Sequence, residues 1–328
     1  MASIMTNASA LTALQSLNAT NKNLETTQSR ISTGYRVAEA SDNAAYWSIA
    51  TTMRSDNAAM STVQDSLGLG ASKVDTAYTG MNKAIDTVNQ IKTKLVAASV
   101  STDADKAKYQ IEIKALQDQL TAYAGAATFS GTNMLSVDSG ATATTAADVK
   151  VVSAFNRTSS GAASISTIDI KVEDIKLFEA GTAATVSKGI LDSNRTSAGV
   201  EGVAAAPTLG AAAVAADTYT VSTMKLTDGT LYASQSQIEA MIGVVESALK
   251  DMTTAATNLG AAKSRIDLQK TFTTSLMDSI DRGVGQLVDA DMNKESTRLQ
   301  ALQVQQQLGI QALSIANSNS QSILSLFR

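Results

Sequence analysis

The chain has 328 residues and a formal net charge of -4, with no cysteine, no histidine and one proline, Pro207. That length holds two or three domains and a sizeable core. The missing residue types exclude disulfides, Ser-His-Asp and Cys-His catalysis and most zinc sites, and an acidic balance without a basic run argues against nucleic acid.

Residues 1 to about 33 read as one helix. No Lys, Arg, Asp or Glu precedes Lys22, and Ala10, Leu17, Leu24 and Ile31 recur every seven residues, with Leu14 on the companion phase. A sustained seven-residue repeat asks for a helical partner. Gly34 interrupts the helix. Ser41 is the expected N-cap of the next, with Asp42 in its first turn, where negative charge suits the helix dipole. The second helix is expected from Ala44 to about Ser99, through Met60, Val63, Leu67, Val74, Met81, Val88, Ile91 and Leu95. A loop at 101–105 leads into a third helix to about Ala124, with Ile111, Ile113, Leu116 and Leu120 as its apolar stripe.

From roughly 129 to 232 the chain turns to Ala, Thr, Ser, Gly and Val. Alternation at Ile168, Ile170 and Val172, and at Tyr219 and Val221, predicts short strands. The low-complexity run 200–217 reads as loop. Helical pattern returns from Ser234 through Ile238, Met241, Val245, Met252, Leu259 and Ile266 to Ile280. "DRGVGQ" at 281–286 is the expected break, and the last helix starts with Asp289 and Asp291 in its first turns.

The last stretch is unusual. From Leu299 to Phe327 there is no charged side chain, yet seven glutamines. Leu299, Leu313 and Phe327 keep one heptad phase, and Leu302, Ala316 and Ile323 the other. A solvated stalk would carry charges beside its seam. Two uncharged, Gln- and Ser-rich helices at opposite ends therefore predict that the ends meet and are buried by copies of themselves. Glutamines such as Gln303 and Gln307 would line a wet channel or bond between helices. The overall expectation is a mainly α fold: a long-helix coiled-coil bundle formed by both chain ends, with a small β-rich outer domain inserted in the middle.

Candidate chemistry is sparse. The carboxylate pairs Asp103/Asp105, Glu173/Asp174 and Asp289/Asp291 sit in loops or first helical turns, where solvation or the helix dipole explains them. Gly34, Gly68 and Gly70 lack a phosphate-loop context. "NRT" at Asn156 and Asn194 matches the N-glycosylation pattern, which chance also produces; O-linked decoration of the Ser/Thr-rich insert fits better. Trp47 reads as core or interface packing rather than a ligand platform. Arg30 and Arg36 flank Gly34, either as a solvated helix end or as anchors at a bend. The first twenty residues lack the charged and apolar regions of a secretory signal. No window approaches the ~20 apolar residues of a membrane span.

The residues then show a resemblance. "RISTGYRV" followed by "ASDNAA" near the start resembles bacterial flagellin, as does "LVDADMNKESTRLQALQVQQQLGIQALSIANSNSQSILSLFR" at the end. "FSGTNML" at 129–135 is similar to the family's turn after its outer-core helices. The match covers about 1–140 and 232–328. It implies a filament subunit for swimming motility, exported unfolded by the flagellar type III apparatus, with ends that fold on assembly into an inner coiled-coil tube. The implied division is an inner-core helix at 1–40, outer-core helices and turn at 41–140, a surface insert at 141–232, an outer-core return helix at 233–285 and a C-terminal inner-core helix at 286–328. Leu11, Leu14, Leu17, Leu24, Ile31 and Arg36, with Leu299, Leu302, Leu313, Ile323, Leu324, Leu326 and Phe327, are the expected subunit-interface residues. No catalytic residue, cofactor or metal is expected, and no nucleic acid or membrane insertion. The implied partners are further copies, with co-assembly of related flagellins left open, an export chaperone on the C-terminal segment, and hook-associated and cap proteins. The location implied is secreted and extracellular, in the filament.

Alternatives remain in view. A hook–filament junction protein of the same family has similar ends. An enzyme on the insert and an adhesin on a coiled-coil stalk are two other classes. In "VNQIKTKLVA" at 88–97, Gln90 and Thr93 replace a basic and an acidic residue of the motif in flagellins sensed by animals. That departure predicts weak activation of the flagellin-sensing Toll-like receptor, checked by a reporter-cell assay on purified monomer.

Overall fold

The computed structural model describes residues 7–139, 146–158, 162–181, 188–202 and 207–326, with side chains to residue 318 at the C-terminal end. It divides into two units, one of Met1–Ala59 with Ser275–Arg328 and one of Met60–Thr274. Five helices dominate: α1 (Ala8–Thr33), α2 (Ala44–Ser99), α3 (Asp103–Ala126), α4 (Gln235–Val288) and α5 (Met292–Leu326). Between α3 and α4 lie short strands: β1 (Thr128–Phe129), β2 (Thr132–Asn133), β3 (Ser136–Val137), β4 (Val149–Arg157), β5 (Ala163–Ile170), β6 (Phe178–Glu179), β7 (Arg195–Thr196) and β8 (Thr218–Tyr219). The chain is mainly α with a small strand-containing middle region, as its patterning predicts.

In the unit of 60–274, α2 and α4 run antiparallel. Gln64 donates to Thr274 at 3.0 Å, Lys263 pairs with Asp75, and Lys92 pairs with Glu246 at 2.9 Å. The α2 seam is a heptad of Leu67, Val74, Met81, Val88 and Leu95, all fully buried. Ile238, Val245, Met252, Leu259 and Ile266 answer from α4. The third helix adds Ile113, Gln117, Leu120 and Ala124. Ile111, expected in that stripe, is 72% exposed. The buried position is taken by Gln117, whose amide donates to the carbonyls of Val221 and Met224 at 2.9 and 3.1 Å.

The insert shares this core. Val151, Ile168, Ile170, Leu177, Leu191, Val221 and Leu226 pack in the same cluster as the helix residues. Insert segments come close to the helices where glycine allows it. A Cβ on Gly70 of α2 would lie 2.4 Å from a Val151 methyl, and one on Gly243 of α4 would lie 2.5 Å from the Ser197 carbonyl oxygen. β4 and β5 pair antiparallel with a bulge between Val152 and Ala154. The expected alternation is present, with Ile168, Ile170 and Val172 all buried. Lys176, fully buried, bridges Glu173 at 3.0 Å and Glu179 at 2.9 Å.

The other unit contains α1, α5 and the adjoining parts of α2 and α4. Its second cluster is Val37, Ala50, Val284 and Val288. Asn43, not Ser41, caps α2: its side chain accepts from the Tyr46 N–H at 3.1 Å. Asp42 instead accepts from the N–H groups of Ala38 and Glu39. The break before α5 also differs from expectation. α4 runs through Gly283 and Gly285 to Val288, because glycine weakens a helix without forbidding it. The chain turns only at 289–291. Asp291 then caps α5, accepting from the N–H groups of Asn293 and Lys294 at 3.0 and 3.2 Å. These bonds, chiefly the one from Lys294, hold its carboxyl below the ordinary range.

Candidate assembly interface

The site is the α1·α5 pair and the joint beside it. On α1 the less exposed positions are Ala10, Leu17, Leu24 and Ile31 on one heptad phase, and Ala13, Thr20 and Thr27 on the other. On α5 they are Leu299, Gln306 and Leu313, and Glu295, Leu302, Gly309 and Ala316. The two stripes face each other antiparallel. Asn7 Nδ2 donates to the Ala316 carbonyl at 2.9 Å, Gln306 Nε2 to Asn21 Oδ1 at 2.8 Å, and Arg30 pairs with Glu295 at 3.4 Å. A Cβ at Gly309 would lie 3.2 Å from Leu17 Cδ1. This is the small-against-large packing of an antiparallel coiled coil.

The joint closes the unit. Gly34 adopts φ +76°, the left-handed conformation that ends α1, and its N–H donates to the Arg30 carbonyl at 2.9 Å. Tyr35 bridges Asp289, and the Val288 carbonyl accepts from Arg36 and Val37 N–H. Arg36 Nη2 donates to the Leu287 carbonyl at 2.9 Å, satisfying the end of α4. Arg54 lies 4.8 Å over the Tyr35 ring. Arg30 and Arg36 are thus both anchors.

A second apolar surface lies outside the seam. Val304, Leu308 and Ile315, spaced along the back of α5, are 55%, 57% and 63% exposed, and Ile310, at the flank of the seam, is 54% exposed. No charge accompanies them. A helix apolar on two faces and charge-free between them needs partners on both faces.

The comparisons agree with this geometry. The model of the bacterial flagellin N-terminal helical region matches residues 4–140, and that of the C-terminal helical region matches 242–327. The chain belongs to the bacterial flagellin family. A flagellin of Brucella melitensis biotype 1 is 49% identical over 328 residues, covering all of both chains. Flagellin C and flagellin A of Rhizobium meliloti are 47% and 45% identical over 336 and 399 residues, again covering each chain fully.

Within this flagellin-family seam the structure brings together Leu17, Leu24, Ile31, Leu299, Leu302 and Leu313 inside one chain. Leu11 and Leu14 face out, 59% and 44% exposed. Leu14 is not on the companion phase, because Ala13 holds it and the next residue points about 100° away. Arg36 sits in the joint. Ile323, Leu324 and Leu326 continue the α5 backbone; their side chains, and Phe327 altogether, lie outside the described residues. Sequence reading missed Val304, Leu308, Ile310 and Ile315. For Val304, Leu308 and Ile315 the signal was available as a second apolar stripe spaced four and seven residues apart within the charge-free run. Trp47 is 39% exposed, so it is not core.

Among the described residues nothing resembling a catalytic centre stands out. An open cavity of about 590 Å³ in the unit of 60–274 is lined by both charge signs, including Glu173, Asp174, Lys188 and Asp251. Its Arg195 is already engaged by Asp251, Ser193 and Ser247. Among the described residues there is no cluster of acidic groups suited to a metal, and no helix long and apolar enough to cross a membrane.

Proposed function

We propose that the chain is a structural subunit that adds to copies of itself to form a bacterial flagellar filament. The observation that carries this reading is the second, uncovered apolar stripe of α5, on a stretch of helix that bears no charge from Leu299 onward. Family membership over the full chain supports it. The ends provide the inner layer through residues 1–40 and 286–328. The helices at 41–140 and 233–285 form the layer around them, and 141–232 faces outward. Ordering α1 and α5 costs conformational entropy that the intrachain seam offsets only in part, so the ends gain order as neighbours cover their outer faces.

Export and partners follow from the same reading. The subunit leaves the cell through the flagellar export apparatus and works outside it. A chaperone covers the C-terminal segment beforehand, and hook-associated and cap proteins meet the polymer at its ends. The test is an electron micrograph of negatively stained, concentrated full chain. Filaments are expected. A fixed small oligomer at every concentration refutes the proposal, as do normal filaments from a chain lacking 310–328.

A further inference from the structure

We propose that three lock points, rather than the apolar seam, set the register of the α1·α5 pair: Leu17 seated at Gly309, the Asn21–Gln306 hydrogen bond, and the Arg30–Glu295 ion pair. The seam itself discriminates poorly. Ala13, Thr20 and Thr27 fill one phase of α1, and Gly309 and Ala316 sit in one phase of α5. Sliding one helix by seven residues restores the heptad pattern and again sets small residues against large ones, so buried apolar area changes little.

The two polar lock points survive that slide in neither direction. Seven residues of helix are about 10.5 Å, which separates Asn21 from Gln306 and Arg30 from Glu295. Glu295 is buried, and its Oε2 has no hydrogen-bond partner even in the native register. Losing Arg30 would leave the whole carboxylate buried and unpaired, a costly state. Leu17 would move from the Gly309 hollow to Leu302 or Ala316. Slid one way, Leu17 meets Leu302 and Gly309 faces only Ala10, which under-fills the hollow; slid the other way, Leu24 enters the hollow and Leu17 lies on Ala316, so there only the polar contacts oppose the slip. A few polar pairs on an otherwise permissive seam are a known way to fix coiled-coil register. The consequence for assembly rests on the proposed function: register decides which residues of α1 stand beside Val304, Leu308 and Ile315 on the outer face.

The absence of native cysteine makes a clean test. In the native register Thr27 falls opposite Leu299, so the full chain with Thr27→Cys and Leu299→Cys reports that register on oxidation. Thr20→Cys with Leu299→Cys, and Thr20→Cys with Leu313→Cys, report a one-heptad slip in either direction. Each pair is placed in the parent, in Asn21→Ala/Gln306→Ala and in Gly309→Leu, and oxidised both as soluble chain and as pelleted polymer. The parent should give the native crosslink within one chain as the dominant product, with slipped crosslinks as a minor fraction. The polar variant should raise a slipped crosslink about five- to ten-fold over the parent, the ratio that one lost hydrogen bond corresponds to. The exchange Asn21→Gln/Gln306→Asn should restore the native pattern. Slipped crosslinks at parental level in both variants overturn the proposal. So does loss of all crosslinks in both, which makes these contacts general supports, and so do crosslinks found only between chains. A parent that crosslinks natively but never pellets refutes the filament reading while the register result stands.

Discussion

The uncovered stripe of α5 makes a quantitative prediction. Full burial of one Val, Leu or Ile is worth about 1.5–3 kcal/mol. Val304, Leu308 and Ile315 keep 55%, 57% and 63% of their surface exposed in a single chain. Covering the remainder would contribute about 1–1.5 kcal/mol each, or roughly 3–4 kcal/mol together. The triple substitution Val304→Ser, Leu308→Ser and Ile315→Ser removes most of that. None of the three lies in the α1·α5 seam, so the soluble chain should keep its helix content by circular dichroism. At 1.4 kcal/mol per decade, the concentration needed for polymer should rise by about two to three orders of magnitude. Sedimentation of a concentration series measures it. A triple variant that polymerises at the parental concentration would refute the role given to this face.

Other perturbations separate the two units. Leu313→Asp places an unpaired carboxylate in the seam, costs on the order of 2 kcal/mol there, and should weaken assembly strongly in the same sedimentation series while melting of the unit of 60–274 stays put. Val200→Ser with Val214→Ser changes two exposed insert residues; stability should move by less than about 0.5 kcal/mol and polymer should form normally. Lys176→Met leaves Glu173 and Glu179 without their buried cation, and chemical denaturation should show a loss of about 3–5 kcal/mol. Acid should act at the same place. Burial alone would raise Glu179, but the Ser139 backbone and hydroxyl, Lys176 and the Gly181 N–H hold it at about 2. Its stabilisation is therefore complete above the unfolded value of 4.5 and is lost as pH falls toward about 2, on the order of 3 kcal/mol. Asp192, raised by burial, works in the opposite sense and is relieved on protonation. Thermal melts at falling pH should show a decline that Glu179→Gln flattens.

The legible parts of the sequence were those where local pattern and tertiary contact coincide. The α2 and α4 heptads and the Leu17, Leu24 and Ile31 phase of α1 are large apolar residues at seam positions, so periodicity finds them. Ala13, Thr20 and Thr27 are small or polar, and the bulkier Leu14 beside them drew the phase off by one residue. Gln117 reads as surface by residue type, and only the strand-side carbonyls of Val221 and Met224 make its burial stable. The end of α4 is set by the Tyr35–Asp289 bridge and the Ala290–Gly34 hydrogen bond, both far apart in sequence, while Gly283 and Gly285 gave a louder local signal. β4 was missed because its bulge shifts the pairing between Val152 and Ala154 and Ser153 points inward. Gly70 occupies a seam position in the α2 heptad, and the space it leaves is filled by the Val151 side chain, which no local pattern announces.

The two units use one heptad grammar to different degrees of completion. In the unit of 60–274, Leu67, Val74, Met81, Val88 and Leu95 are wholly buried within a single chain, as are Ile238, Val245, Met252, Leu259 and Ile266. The seam between these helices is complete within one chain, although Leu268 and Phe272 on α4 remain 70% and 60% exposed, so that unit should fold alone. In the α1·α5 pair only Thr27, Glu295 and Leu302 reach burial among the described side chains, and two of those three are polar. The leucines of α1 remain half-covered, and the back of α5 is bare. More hydrophobic seam residues would have let this pair close by itself, and charges on its outer face would have kept it solvated. The sequence withholds the first, and its exposed charges, such as Lys22, Glu25, Lys294 and Arg298, lie away from the bare stretch of α5 beyond Leu299. On the proposed function, contact with neighbouring copies would complete the pair's stability, and the order of the two helices would then depend on chain concentration.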